Sequence, residues 1–304
     1  MFTTRNKGRL AASAAAVGAL LALAGCASGD PRAPDTGGDT PDDTIVVGSQ
    51  AYYSNEIIAE IYAQALENAG FEVERQFQIG QRDAYLPALE DGEVDLFPEY
   101  TGNLLQFYDP ETEATLPDEV YGELEGALPD GLTVLDQSPA TDQDSYNVTK
   151  EFSEENGVTS LADLAGLDTE LILGGPAELE ERPYGPSGLS DVYGATVQFS
   201  ATGDTTVDAL LEGVVNIANV FSADPRIQTE DLVTLEDPEG LFLASHVVPL
   251  VNAEISDEVA DIINAVSAEL TPEGLVALNV QSTVDQMSSD DIAEQWLTEK
   301  GLLD

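Results

Sequence analysis

Two periods of hydrophobic and polar residues alternate along this chain. Thr44–Gly48 is a short β-branched run closed by glycine, the pattern of a first buried strand. Ile57, Ile58, Ile61, Tyr62, Ala65 and Leu66 then recur at helical spacing on one face, with Ser54 in position to cap the helix and Gly70 to end it. Phe71–Phe77 alternates apolar and polar residues as a second strand, Tyr85–Asp91 reads as a short helix closed by Gly92, and Val94–Phe97 as a third strand. This β-α-β-α-β rhythm predicts parallel strands with helices on both faces.

The same rhythm restarts beyond residue 160. Ser160–Leu164 is a capped helical turn, Leu171–Leu173 a strand and Ala177–Arg182 a short helix. Val197–Phe199, a capped helix over Thr205–Leu211, Val215–Val220 and Leu232–Leu235 follow. Val247–Val251 is a further strand, and Asp257–Leu270 and Ser289–Lys300 are closing helices. No sequence repeat accompanies the repeated rhythm. The reading is two α/β lobes, with the chain crossing between them at Asp136–Asp142 and Ser245–Pro249. Such lobes leave a cleft at the carboxyl ends of their strands, where loops hold a small ligand.

The first 43 residues follow neither period. Met1–Arg9 is basic, Leu10–Ala24 is an apolar run rich in Ala and Leu, and the segment closes at Leu23-Ala24-Gly25-Cys26. That is the pattern of a secretory signal, and the run is shorter than the about 20 residues of a membrane span. The Leu-Ala-Gly-Cys ending resembles a bacterial lipobox. It implies removal of residues 1–25 as a signal peptide and lipidation of Cys26. Residues 26–43, rich in Pro, Gly, Asp and Thr, read as a flexible tether from membrane to domain. The expected location is outside the cell membrane and anchored to it.

Composition narrows the chemistry. The 304 residues carry 58 acids against 10 Lys and Arg and one His, a formal charge of −48. Such a surface repels phosphate backbones, which argues against nucleic-acid partners. It also suits a salty habitat, where screening removes much of the self-repulsion. The single cysteine excludes an intrachain disulfide and a Cys-cluster zinc site, and a single histidine argues against a His-based triad or a multi-His metal site. No Asp-x-Asp-x-Asp-Gly calcium loop is present, and no Lys follows Gly174-Gly175-Pro176 to make it a phosphate cradle. No cofactor or metal is called for. The expected protein captures a solute and catalyses nothing; an extracytoplasmic carboxylate-dependent hydrolase is the distant alternative, since no spacing singles out an acid pair.

Four segments carry a resemblance: Val47–Ile61, Gly92–Asn103 (GEVDLFPEYTGN), Leu173–Gly194, and Asn219–Ile227 followed by Glu236–Leu250. They are similar, in one order from about residue 44 to the end, to the extracytoplasmic substrate-binding proteins of quaternary-ammonium osmolyte importers of the ABC type, whose ligands include glycine betaine, choline, carnitine and proline betaine. The resemblance implies a two-lobed periplasmic-binding-protein-like (type II) fold with the ligand cleft between lobes: residues 44–140 plus 247–304 in lobe 1, and 141–246 in lobe 2. It also implies an ABC permease and its ATPase as partners, and a monomer as the working form.

A trimethylammonium group donates no strong hydrogen bond, so aromatic faces hold it best, each worth about 0.5–2 kcal/mol. A betaine carboxylate needs donors. On the family pattern Tyr100 and Phe221 correspond to two cage aromatics, and Gln50 and Asn103 to polar positions beside the ligand. Arg182 matches an arginine that holds the carboxylate or the closed lobes. The chain departs from the pattern elsewhere. Asp142 and Asp144 lie in the segment where relatives have an Asp or Asn ahead of a cage tyrosine, and Ser245 falls where a further aromatic is usual. Tyr52, Tyr53, Tyr146 and Tyr184 are the aromatics able to replace what is missing. Loss of rings weakens glycine betaine as the sole ligand and leaves another small cationic or zwitterionic solute open.

Overall fold

A computed structural model describes residues 44–80 and 82–303. The signal, Cys26 and tether readings lie outside the described residues.

Two five-stranded sheets organise this part of the chain. The first half contributes β1 (Thr44–Gly48), α1 (Tyr53–Asn68), β2 (Glu72–Gln76), α2 (Arg82–Glu90), β3 (Leu96–Tyr100), α3 (Thr101–Tyr108), α4 (Pro117–Ala127) and β4 (Leu132–Val134). The middle holds β5 (Asp144–Thr149), α5 (Lys150–Asn156), β6 (Ile172–Gly175), α6 (Pro186–Tyr193), β7 (Gln198–Ala201), α7 (Thr206–Leu211), β8 (Ile217–Phe221), α8 (Arg226–Thr229) and β9 (Leu232–Thr234). The chain then returns with β10 (Val247–Asn252), α9 (Ser256–Glu269), α10 (Pro272–Thr283) and α11 (Ser289–Lys300). The strand orders are β2-β1-β3-β10-β4 and β7-β6-β8-β5-β9.

The α1 stripe does what its spacing predicts. Ile57, Ile58, Ile61, Tyr62 and Leu66 are fully buried against Val47, Leu96, Val251 and the apolar faces of α9, α10 and α11. Each such side chain contributes about 1.5–3 kcal/mol by leaving water. A second cluster around Phe97, Leu104 and Leu250 fills the other face of this sheet, so its central strands are buried on both sides. The second sheet has its own core around Tyr146, Leu173, Ile217 and Phe242.

The opening rhythm gives the parallel strands it predicts, β1 pairing parallel with both β2 and β3. Each sheet also has antiparallel neighbours: β10 runs antiparallel to β3 and β4, and β5 antiparallel to β8 and β9. β10 returns from the other sheet rather than through a local crossover helix, so the rule that keeps βαβ strands parallel does not act on it. Two expectations need correction. Ser54 does not cap α1; Tyr52 occupies the cap position without a side-chain bond, and Ser54 is buried at the second helical position. Thr205 likewise caps α7 with no side-chain bond to the helix N–H groups, its hydroxyl donating instead to the Thr202 carbonyl. Ser160 does cap, in a reciprocal box with Asp163 at the head of a 3-10 turn.

Candidate functional site

The carboxyl end of β3 is the best-defined part of the site. All five residues of Leu96–Tyr100 are buried, including the carboxylate of Glu99. Arg82, at the head of α2, grips Glu99 through two bonds of 2.8 and 2.9 Å. The Tyr85 hydroxyl donates to the same carboxylate and itself accepts from Gln50 Nε2 at 3.2 Å. Glu99 Oε2 also takes the backbone N–H of Tyr100. A buried carboxylate is tolerable only with such partners. Here they fix the strand end from which Tyr100 projects.

Tyr100 stands where β3 turns into α3, with extended backbone (φ −128°, ψ 121°). The turn needs the glycine that follows. A Cβ on Gly102 would lie 2.5 Å from the Ala244 carbonyl oxygen, so only glycine admits the returning chain this close. The Tyr100 ring is 5% exposed, and its hydroxyl has no hydrogen-bond partner among the described residues. Burial, with the nearby Asp142 charge adding to it, holds that hydroxyl well above the usual tyrosine range, so it is neutral.

The two crossing segments run side by side next to this ring. Thr141 and His246 form an antiparallel bridge, and the Asp142 N–H donates to the Ser245 carbonyl at 3.1 Å. Ser245 is buried and fully engaged: its N–H meets Gln143 Oε1 at 2.7 Å and its hydroxyl donates to Asn103 Oδ1 at 2.8 Å. Ser245 and Asn103 thus tie α3 to the second crossing. Asp142 is half-buried, and burial pushes its carboxyl up to about 6, with Asp224 adding to the rise and the neighbouring Tyr52 hydroxyl opposing it. Tyr52 and Tyr53 stand edge to face, 4.9 Å apart, at the head of α1. Burial and then Asp142 raise the Tyr52 hydroxyl too.

On the second sheet Asp144 and Phe221 are direct register partners at the ends of β5 and β8. Phe221 is 58% exposed, so most of its ring faces solvent. Asp144 accepts from Asn219 Nδ2 at 3.0 Å. Burial and then Asp144 push the Tyr184 hydroxyl up to about 12. Arg182 is exposed just before Tyr184, at the end of a 3-10 turn.

The structure therefore brings Tyr100, Asn103, Asp142 and Ser245 together at the crossings, with Gln50 joined to Tyr100 through the Glu99 network. Asp144, Phe221 and Arg182 lie on the second sheet's side. Of the four substitute aromatics, Tyr52 and Tyr53 border Asp142 and Tyr184 borders Asp144, whereas Tyr146 is sealed in a core. Its ring packs edge-on to Phe242 at 4.9 Å and its hydroxyl donates to the Tyr184 carbonyl. His246 is held by the Ser138 carbonyl at 2.7 Å, and burial lowers its proton affinity. Gly174 and Gly175 serve backbone geometry: a Cβ on Gly175 would collide with Leu179.

Sequence reasoning missed the Arg82–Glu99–Tyr85 network and Asp224. An acid inside an otherwise apolar five-residue strand is the signal that a buried partner exists, although it does not say which. Among the described residues no group of acids, histidine and cysteine is arranged to hold a metal, and no helix is long and apolar enough to cross a membrane.

Residues 43–299 match the family described as the substrate binding domain of the ABC-type glycine betaine transport system. The glycine betaine-binding protein YehZ of Escherichia coli K12 is 28% identical over 276 residues, covering 84% of this chain and 90% of that protein. A glycine-betaine-binding protein of Pseudomonas aeruginosa is 26% identical over 287 residues, with 86% and 89% covered. Among solved structures, apo YehZ superposes with a TM-score of 0.77 at 26% identity, covering 85% of this chain and 99% of the other. A crystal structure titled as a glycine betaine/carnitine/choline ABC transporter gives 0.76 at 20% identity, covering 86% and 100%, a likeness of fold.

Proposed function

The chain belongs to the family of substrate binding domains of ABC-type glycine betaine transport systems, and from that premise we propose how its cleft recognises a ligand. It is the substrate-binding protein of a glycine betaine-type ABC importer and works outside the cytoplasm, with an extracytoplasmic osmolyte as its ligand. In our reading lobe 1 comprises residues 44–140 and 247–304, lobe 2 residues 141–246, and the ligand lies between them. The quaternary ammonium group rests against Tyr100 and Phe221, helped by Tyr52 or Tyr53. Gln50 and Asn103 orient the rest of the molecule, and Arg182 attracts a carboxylate. The ligand then stabilises the closed lobes by binding them better than the open ones. A permease with its ATPase takes delivery. Lipidated Cys26, through residues 26–43, keeps the protein at the membrane as a monomer, and it carries out no catalysis.

The observation that supports this most is the setting of Tyr100: a buried ring, beside Asp142 and Tyr52, at the line where the chain crosses between sheets. Titration calorimetry of the soluble domain with glycine betaine, choline and carnitine is the test. Saturable binding that weakens at least about tenfold in Tyr100→Ala is expected, since about 1.4 kcal/mol is one factor of ten. Heat with none of the three would end the ligand assignment.

One observation favours a second reading of the ligand. Asp142, Asp144 and Asp224 outnumber Arg182 around these rings. A zwitterion meets that field only as a dipole, whereas a net cation is attracted outright. On this reading choline binds more tightly than glycine betaine, and equal affinities in the same titration would count against it.

A further inference from the structure

The turn that follows Phe221 belongs by sequence to the second sheet but is built into the first. Ala223 is 1% exposed and lies in the same apolar cluster as Tyr100, Ile58 and Leu278. Asn279, fully buried on α10, donates from Nδ2 to the Ala223 carbonyl at 2.8 Å. On the other side, Ser222 is bound by four contacts to Thr141 and Gln143, where the first crossing ends. Its N–H donates to the Gln143 carbonyl at 2.8 Å, and its hydroxyl accepts from the Gln143 N–H at 3.1 Å. The hydroxyl also donates to the Thr141 carbonyl at 3.0 Å and pairs with Thr141 Oγ1 at 2.8 Å. The Asp224 N–H closes the turn onto the Phe221 carbonyl at 2.9 Å.

Two covalent crossings would leave the lobes free to hinge with each carrying its own rings. This turn adds a third, non-covalent joint, held by a buried amide whose removal would leave the Ala223 carbonyl without a partner. We infer that Asn279 is a positioning residue for ligand binding: through the Ala223 carbonyl it pins the Ser222–Asp224 turn to lobe 1 and so sets where the exposed Phe221 ring stands relative to Tyr100. The inference rests on the proposed role of Phe221 in the cleft and adds what aligns it. Phe221 sits at the joint, not on a freely swinging half. Because its ring is largely exposed, its position is set by backbone anchoring more than by packing of its own side chain.

A double-mutant cycle on ligand affinity tests this, using glycine betaine and choline as probes with the soluble domain of residues 44–304. Phe221→Ala and Asn279→Ala are each expected to weaken binding about tenfold or more, and the double variant to bind no worse than Phe221→Ala alone. Ser222→Ala, which empties no buried site, is the companion variant should Asn279→Ala not fold, and the same coupling to Phe221→Ala is expected of it. Losses that multiply in the double variants would overturn the inference while leaving Phe221 in the site. Unchanged affinity in Phe221→Ala would overturn both the inference and the role of Phe221. A fall in melting temperature with affinity retained would mark Asn279 as structural only.

Discussion

Arg82 and Glu99 form a buried, two-pronged ion pair, at 2.8 and 2.9 Å, directly beneath the residue that presents Tyr100. Glu99 has no access to solvent, whereas Arg82 retains some. Removing the arginine alone therefore strands a carboxylate in the core. Arg82→Met is expected to cost about 3 kcal/mol in urea unfolding. The double variant Arg82→Met/Glu99→Gln should recover part of that loss, because no unpaired charge remains. A double variant as unstable as the single one would mean that the pair matters for shape and not for charge.

Tyr100 allows its ring and hydroxyl to be separated. The hydroxyl is buried without a protein partner, so Tyr100→Phe is expected to leave unfolding stability unchanged within about 1 kcal/mol or to raise it. Affinity for a quaternary ammonium ligand should survive this change and be lost in Tyr100→Ala. If Tyr100→Phe removes binding as completely as Tyr100→Ala, the hydroxyl is the recognition element and the ring-face account is wrong.

Asp142 gives stability and binding opposite pH dependences. Its folded value is raised to about 6 from the ordinary 3.8, so the folded chain holds this proton more tightly than the unfolded one. The ionised group thus costs stability above pH 6, and the cost disappears as pH falls through 6 toward 3.8. Asp142→Asn should be more stable than the parent by about 2 kcal/mol at pH 7.5, with the difference closing near pH 4. Cation binding should run the other way, weakening as pH drops through 6 because the attracting charge is lost. Denaturation and calorimetry across this range in parent and variant would show both trends, and a pH-independent affinity would exclude Asp142 from the binding field.

His246 acts in an adjoining window with the opposite sign. Burial lowers its folded value below the ordinary 6.5, so the unfolded chain binds the proton better. Its contribution is present above 6.5 and is lost as pH falls below it. His246→Gln should therefore flatten the acid side of the stability profile between pH 7 and 5. An unchanged profile would mean that the ring protonates in place without strain.

Salt should stabilise the fold. With a formal charge of −48 on 304 residues, self-repulsion acts on the compact state at low ionic strength. Raising NaCl from about 0.1 to about 1 M shortens the Debye length from about 10 to about 3 Å and is expected to raise the melting temperature. A flat response would argue that the acids are already neutralised locally.

The legible parts of this protein were those written in local periodicity. The α1 stripe, the strands at Thr44–Gly48 and Val247–Asn252, and the Ser160 cap all follow from spacings of two to four residues. α3 and α10 went unread although both are regular helices. α3 begins inside a motif that looks like a loop, and α10 is apolar on more than one face, which erases its stripe. β4 and β5 were missed because three- and six-residue strands with polar positions carry little signal.

Sequence alone determined the α/β class, the core faces of the long elements and the strong negative charge, because each depends on residues close together in the chain or on composition. Only tertiary structure decided the rest. Glu99 meets Arg82 across 17 residues, Asn103 meets Ser245 across 142, and Asn279 meets Ala223 across 56. Such bonds depend on how the crossings bring the sheets together, and many polar side chains in the sequence have the right chemistry for each partner. Burial, which raises Asp142 and isolates the Tyr100 hydroxyl, likewise exists only once the chain has folded.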